Sequence, residues 1–109
     1  MAVEVTVHEL AAAVADGAVV VDVREPDEYT RGHVPDAILM PLATVPVRYS
    51  ELPRDRPLYL VCAVGARSMH AAQYLSQLGF DARNVAGGTY DWVTAGFPID
   101  TGLPAGDRD

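Results

Sequence analysis

The feature that most constrains the fold is a run of apolar, mostly β-branched residues at positions 18–23, in which Asp22 is the one polar residue. A strand that is exposed on one face alternates apolar and polar side chains, whereas a strand covered on both faces is apolar throughout. The run therefore predicts a buried strand of a parallel sheet. Residues 58–62 and 82–85 are predicted to form two further inner strands of the same sheet.

The segments between these strands carry helix signals. Thr6 and Glu9 form a predicted capping box, in which the hydroxyl and the carboxylate each satisfy an unpaired backbone N–H, and Gly17 ends the helix that follows. The longest helix is predicted at 67–78, before Gly79. The other predicted elements are an edge strand at 3–7, a short helix from 25 that stops at Gly32, a short strand at 37–40, a helix broken by Pro46 within 42–52, and a short helix at 89–95.

This alternation of strands and helices predicts an α/β fold with three layers, in which a central parallel sheet of about five strands has helices on both faces. Ligands of such sheets bind beyond the carboxyl ends of the strands, and Cys62 stands at one of these ends. The length of 109 residues predicts one domain at 1–100. The segment 101–109 is rich in Gly, Pro and charge, and is predicted to be a flexible tail.

Composition and charge narrow the partners and the compartment. The net charge is −7, and an acidic domain repels phosphate backbones, so no nucleic-acid partner is expected. The single cysteine cannot form an internal disulfide, and the first residues show no signal-peptide pattern. The longest apolar run, 58–64, is too short to span a bilayer, so no membrane association is expected. We therefore predict a cytoplasmic protein with a reduced thiol.

The candidate chemical centre is the loop that follows the second inner strand, Cys62-Ala63-Val64-Gly65-Ala66-Arg67-Ser68. A strand ends at a thiol, a short loop curls, and a helix begins, so backbone N–H groups of the loop and the first helical turn can converge on the sulfur. Such a nest favours the thiolate over the thiol. Gly65 gives the backbone freedom for the curl, and no loop residue between Cys62 and Arg67 carries an acid or a base. The main chain is therefore expected to supply most of the stabilisation. From the cysteine alone, a small buried hydrophobic residue is the alternative interpretation.

Three further elements accompany this loop in a fixed order. They are Asp22-Val23-Arg24-Glu25, the segment 28–37 with Glu28, Gly32, His33 and Pro35, and Asn84-Val85-Ala86-Gly87-Gly88 with Trp92, Gly96 and Pro98. Together with the cysteine loop they resemble the sequence elements of rhodanese-like domains, the single-domain sulfurtransferases. Asp36 stands where that family usually has Gly, and Asp also tolerates turn geometry.

The resemblance implies covalent catalysis through a persulfide on Cys62, with no metal or organic cofactor. The implied partners are a small sulfur donor such as thiosulfate or a persulfide, and an acceptor that is a thiol, cyanide or a sulfur-acceptor protein. A monomer or weak dimer is expected. Two alternatives are a non-catalytic rhodanese-like binding or regulatory module and an enzyme of the phosphatase or arsenate-reductase type. The latter is disfavoured because the loop is one residue shorter than the cradle in the related phosphatases, and Val61 replaces their usual His.

Arg67 has two interpretations, since it could bind an anionic donor or pair with a buried acid such as Asp22 and brace the loop. We favour the structural pairing, which predicts weak affinity for thiosulfate and a preference for a less charged or protein-borne donor. Asp22 and Arg24 are expected to support the site, with Arg24 and Glu25 as an ion pair near it. His33 is expected to order a turn. The aromatic side chains of Tyr29, Tyr90 and Trp92 are expected to pack in the core or at the rim of the site. His70 is a candidate residue of the pocket rim.

Overall fold

A five-stranded sheet forms the centre of the protein in the computed structural model, which describes residues 2–104. All strand pairs are parallel, in the order β1-β5-β4-β2-β3. The strands are β1 Val3–Val5, β2 Val19–Asp22, β3 Ile38–Leu39, β4 Leu58–Val61 and β5 Ala82–Val85. The predicted α/β class, the parallel sheet and its five strands are confirmed.

Helices cover both faces of the sheet. They are α1 Val7–Ala15, α2 Pro26–Arg31, α3 Val45–Arg48, α4 Ala66–Gln77 and α5 Gly88–Thr94. One apolar core lies between the sheet and α3 and α4, through residues such as Val45, Ala71 and Leu75. The other core joins α1, α2 and α5 to the opposite face, through residues such as Leu10, Tyr29 and Trp92. The three-layer architecture thus follows from the inner strands β2 and β4, which carry mainly apolar side chains on both faces.

The cysteine lies beyond the central strand of this sheet. β4 is fully buried between β5 and β2, and Val61 at its end is in register with Asp22 at the end of β2. Cys62 follows directly, at the carboxyl edge where ligands of parallel sheets bind. The predicted position of the thiol is therefore confirmed.

The segment between β3 and β4 differs from the prediction. Instead of a helix broken at Pro46, it forms a 3₁₀ turn at Leu42–Thr44, then α3, then a second 3₁₀ turn at Tyr49–Glu51. Pro46 lies in the first turn of α3. A helix does not use the N–H groups of its first turn, so the proline starts this helix and does not break it.

The local turn and cap predictions hold at three places. The Thr6 and Glu9 side chains form the capping box of α1. His33 orders its turn through a hydrogen bond between Nδ1 and the Tyr29 carbonyl, 2.8 Å long. Asp36 adopts a positive φ of 66°, the conformation that explains why Gly is usual at this position.

None of the helices within residues 2–104 is long and apolar enough to cross a bilayer. Of the predicted tail, residues 101–104 are described, and the Gly102 N–H donates to the Thr30 carbonyl at 2.9 Å. The remainder of that predicted segment, 105–109, lies outside the described residues.

Candidate active site

Hydrogen-bond donors surround the sulfur of Cys62. The Gly65 N–H lies 3.2 Å from Sγ, the Ser68 N–H 3.3 Å, and the Ser68 hydroxyl oxygen 3.3 Å. Gly65 has a φ of 110°, a left-handed conformation that turns the loop around the sulfur and starts α4. The predicted nest of N–H groups is therefore present. The Ser68 hydroxyl, which the sequence did not indicate as a donor, adds to these main-chain groups.

Two opposing effects act on the thiol. Burial of the sulfur raises the pKa of Cys62, because a thiolate loses hydration there. Hydrogen bonds from the Ser68 hydroxyl and from the N–H groups of Ser68, Gly65 and Val64 lower it, and together they outweigh burial. The net pKa of Cys62 lies below the ordinary value for a thiol. The site therefore favours a thiolate, the nucleophilic form of cysteine.

The sulfur lies at the bottom of the loop. Cys62 is 1% exposed, whereas the neighbouring Val64 on the rim is 66% exposed. Cys62 also belongs to the apolar core between the sheet and α4. A reactant must therefore bring its reacting atom into the loop, and this favours small terminal atoms over bulky groups.

The first turn of α5 fixes the direction of the loop. The N–H and hydroxyl of Thr89 donate to the Cys62 carbonyl at 2.8 and 3.0 Å, and the Tyr90 N–H donates to the Ala63 carbonyl at 3.0 Å. These hydrogen bonds fasten the start of the cysteine loop to α5. Gly88 lets α5 come this close, since a Cβ on Gly88 would lie 2.5 Å from the Cys62 carbonyl oxygen and 2.7 Å from that of Ala63.

Gly88→Ala is therefore expected to push α5 away from the loop and to weaken the nest. We expect a free energy of unfolding lower by about 2 kcal/mol or more, because Gly88 also has a positive φ of 57°. The reactivity of Cys62 with iodoacetamide at neutral pH should fall with it. Gly96→Ala is the control, because its φ is 84° but a Cβ there meets no atom within 4 Å. If both variants kept wild-type thiol reactivity, α5 would not control the loop.

Arg67 braces the loop, but its partner differs from the one predicted. It donates to both carboxylate oxygens of Glu28 on α2, at 2.8 and 2.9 Å, and not to Asp22. Hydrogen bonds from Arg67 lower the pKa of Glu28 to about 2, so the carboxylate stays charged in mild acid. The stability this pair adds is present above the ordinary carboxyl pKa and is lost only as pH falls towards 2.

Asp22 and Arg24 pair with each other below the loop. Arg24 donates through Nε and Nη2 to the Asp22 carboxylate, at 2.8–3.2 Å, and through Nη2 to the Gly32 carbonyl at 2.8 Å. The expected pair of Arg24 with Glu25 is wrong, because Glu25 caps α2. Neither Asp22 nor Arg24 has a hydrogen bond to the sulfur. They support the site by fastening the end of α2, which carries Glu28, to the sheet.

Three residues that support the site were not predicted from the sequence: Glu28 and Thr89, already described, and Asn84. Asn84 on β5 is 1% exposed and accepts a hydrogen bond from the Ser68 hydroxyl at 2.6 Å. A polar residue inside a predicted buried strand must find partners, and this signal could have pointed to Asn84. Tyr90 was expected to pack, but it is 67% exposed. His70 lies on α4 beside a groove lined by Leu42, Pro46 and Tyr74.

The fold and the site together define a class of protein: an α/β domain that holds one cysteine in a ring of N–H donors at the carboxyl end of a parallel sheet. The family model described as rhodanese-like domain matches residues 6–95. The chain therefore belongs to the rhodanese-like domain family, and the resemblance inferred from its sequence elements is confirmed.

Named relatives agree with this family. The chain is 38% identical over 99 residues to a sulfurtransferase of Allochromatium vinosum, covering 88% of this chain and 92% of that protein. It is 38% identical over 86 residues to the thiosulfate sulfurtransferase GlpE of Pseudomonas syringae, covering 78% and 80%. A crystal structure of a rhodanese-related protein from Thermoplasma volcanium matches with a TM-score of 0.85 and 32% identity, covering 89% of this chain and 96% of that one.

Proposed function

We propose that this chain is a sulfurtransferase that carries sulfane sulfur as a persulfide on Cys62. The observation that carries the proposal is the set of donors around the sulfur, two N–H groups and a hydroxyl at 3.2–3.3 Å. Donors that stabilise a thiolate also stabilise the terminal anionic sulfur of a persulfide. The sulfurtransferase names of relatives that align over most of this chain support the same reaction.

In the first step the Cys62 thiolate attacks the outer sulfur of the donor. A bond forms between Sγ and that sulfur, and the bond to the remainder of the donor breaks. The leaving group takes the electron pair of the broken bond: it is sulfite when the donor is thiosulfate, and a thiolate when the donor is an organic persulfide. The low exposure of Cys62 favours donors of this kind, whose reacting sulfur is terminal.

In the second step an acceptor thiolate or cyanide attacks the outer sulfur of the Cys62 persulfide. The new bond to the acceptor forms as the sulfur–sulfur bond breaks, and the Cys62 thiolate is restored with the surrounding donors in place. The cycle is balanced without any further oxidant or reductant, and it predicts ping-pong kinetics. We place this reaction in the cytoplasm, where thiols are kept reduced, with a sulfur-acceptor protein as an alternative to a small thiol.

Charge at the mouth of the loop favours a donor with little charge. Both arginines that the sequence places at the site have carboxylate partners, since Arg67 pairs with Glu28 and Arg24 with Asp22. The loop side chains at the rim are apolar, and the protein carries a net charge of −7. Thiosulfate is a dianion, so we expect it to bind weakly compared with an organic or protein-borne persulfide.

Glu28→Gln is expected to release the charge of Arg67 for an anionic donor. We expect the KM for thiosulfate to fall about fivefold, equivalent to ~1 kcal/mol, while the KM for an uncharged organic persulfide changes little. Steady-state assays with the two donors measure this difference. Asp81→Asn is the matched control. It removes the same charge from the ion pair of Asp81 with Arg83, which lies at the start of β5. An unchanged or higher thiosulfate KM in Glu28→Gln, or a low-micromolar KM in the wild type, would contradict the proposed donor preference.

A two-substrate initial-rate experiment tests the function itself. Donor and acceptor concentrations are varied together, once with thiosulfate and cyanide and once with an organic persulfide and a thiol. Parallel double-reciprocal lines are expected, because the donor product leaves before the acceptor reacts. Hydrolysis of an aryl phosphate without sulfur transfer would instead support the phosphatase type. No turnover of any donor by a thiol that alkylates normally would support the binding module.

A further inference from the structure

Asn84 connects the cysteine loop to the first strand. Its Nδ2 donates to Glu4 Oε2 at 3.0 Å and to the Gly65 carbonyl at 3.2 Å, and its Oδ1 lies 2.6 Å from the Ser68 hydroxyl oxygen. Two acceptors on one side of the amide and a hydroxyl on the other leave one sensible orientation, with Oδ1 towards Ser68. The short distance between the two oxygens requires a hydrogen between them, and only the hydroxyl can supply it.

The Ser68 hydroxyl therefore has two acceptors and one hydrogen. Besides Asn84 Oδ1, the sulfur of Cys62 lies 3.3 Å from the same oxygen. While Cys62 is a neutral thiol, the S–H can donate to the Ser68 oxygen and the hydroxyl can donate to Asn84, so all groups are satisfied. When Cys62 is anionic, the charged sulfur is the stronger acceptor for the hydroxyl hydrogen.

We propose that Asn84 is a positioning residue for Cys62: it holds the hydrogen of the Ser68 hydroxyl while the sulfur is neutral, and the hydroxyl turns to the sulfur when the sulfur becomes anionic. Asn84 touches neither sulfur nor donor and acts only through Ser68. The proposal builds on the proposed function, since a thiolate is the attacking species there. Its test uses alkylation, which requires no sulfur donor, so the failure of either can be recognised separately.

The geometry predicts that loss of the Ser68 hydroxyl and loss of Asn84 Oδ1 shift the equilibrium between the Cys62 thiol and thiolate in opposite directions. Without the Ser68 hydroxyl, the anionic sulfur loses a donor and the thiol is favoured. Without Asn84 Oδ1, the neutral arrangement loses its last acceptor and the hydroxyl is committed to the sulfur, so the thiolate is favoured. A loop that merely loosened would lose N–H donors, and this would favour the thiol. The direction in which the alkylation midpoint of Cys62 moves in Asn84 variants therefore distinguishes a positioning role of Asn84 from a role in holding the loop together.

Charged groups on the surrounding elements are left unsubstituted in every variant, although Glu4 loses the Asn84 amide as a donor in Asn84→Leu. They are Arg67 on α4, Glu28 on α2, Asp22 and Arg24 at the end of β2, and Glu4 on β1. The Gly65 carbonyl also accepts from the Met69 N–H at 3.1 Å, so the loop keeps an anchor when Asn84 is replaced.

The experiment is the rate of Cys62 alkylation by iodoacetamide across pH, in the wild type and in Ser68→Ala, Asn84→Leu and the double variant. The midpoint is the pH at which the alkylation rate reaches half of its plateau. At pH values below the midpoint of the wild type, we expect Ser68→Ala to react about tenfold more slowly than the wild type and Asn84→Leu about threefold faster. The midpoint is fitted with the plateau, because a more acidic thiolate is also a weaker nucleophile. In the Ser68→Ala background, Asn84→Leu should have no effect on the midpoint.

Thr89→Val is the matched control, because it removes a hydroxyl that holds the loop but offers no acceptor to Ser68. Its midpoint should not move to lower pH. If the fluorescence of Trp92 shows that Asn84→Leu is unfolded, Asn84→Ala is used in its place, and the same result is expected. A midpoint that moves to higher pH or stays unchanged in a folded Asn84 variant, or an Asn84 effect that persists without Ser68, overturns the proposal.

Discussion

Cys62→Ser is expected to lower sulfur transfer by about a thousandfold or more with every donor. A hydroxyl at this position is not ionised near neutral pH, and its oxygen cannot form a persulfide, so the covalent route is lost. Cys62 is the only cysteine of the chain, and no second thiol can replace it. The measurement is the initial rate of sulfur transfer to cyanide and to a thiol at saturating donor.

The substitution is close in size, so the loop should keep its shape. The fluorescence of Trp92, which is buried between α5 and the sheet, verifies the fold. Ser76→Ala on α4 provides a variant of similar size outside the cysteine loop, and it should transfer sulfur at the wild-type rate. If Cys62→Ser kept a rate within tenfold of the wild type, sulfur would pass from donor to acceptor without a covalent intermediate, and the mechanism would be wrong.

Asp22→Ala is expected to lower the free energy of unfolding by about 3–5 kcal/mol, a large part of the stability of a domain this size. Asp22 is fully buried and Arg24 is 6% exposed, so removal of the carboxylate leaves a buried guanidinium without its partner. Urea unfolding followed by Trp92 fluorescence measures the change.

Asp81→Ala is the matched control for Asp22→Ala. Asp81 and Arg83 have the same spacing and similar geometry, with Nε and Nη2 of Arg83 at 3.2 and 3.0 Å from the carboxylate, but both side chains are much more exposed. We expect a change within about 1 kcal/mol there, because solvent weakens an exposed pair. Equal effects of the two substitutions would show that burial of the Asp22–Arg24 pair does not determine its importance.

The Asp22–Arg24 pair also explains how distant elements hold the cysteine loop. Arg24 fixes the carbonyl of Gly32, which ends α2, and α2 carries the carboxylate of Glu28. Glu28 in turn holds Arg67 at the start of α4. A partly destabilised Asp22 variant should therefore show changes at the loop as well as in the sheet.

The strands and the position of the thiol could be predicted because local sequence determines them. Apart from Asp22, residues 18–23 and 58–62 are apolar on both faces, and a parallel sheet is the architecture that covers both faces. Gly65 and the helix that follows indicated that the loop curls around the sulfur. These signals depend on residues close in sequence, and the structure agrees with them.

The partners of the loop could not be predicted because they come from distant parts of the chain. Arg67 and Glu28 are 39 positions apart, and Ser68 and Asn84 are 16 apart. The acid that pairs with Arg67 depends on where α2 packs against the sheet. From the sequence alone Asp22 was a plausible partner, but in the structure Asp22 pairs with Arg24. Pro46 was misread because a proline has opposite effects in the first turn and in the interior of a helix.

The most direct test of the central claim is the intact mass of the protein after incubation with thiosulfate or an organic persulfide, before and after treatment with a reductant. The account predicts that the wild type gains the mass of one sulfur atom, that the reductant removes it, and that Cys62→Ser gains nothing. A wild type that gains no sulfur from either donor while its thiol still alkylates, or a gain that persists in Cys62→Ser, would contradict a persulfide held on Cys62.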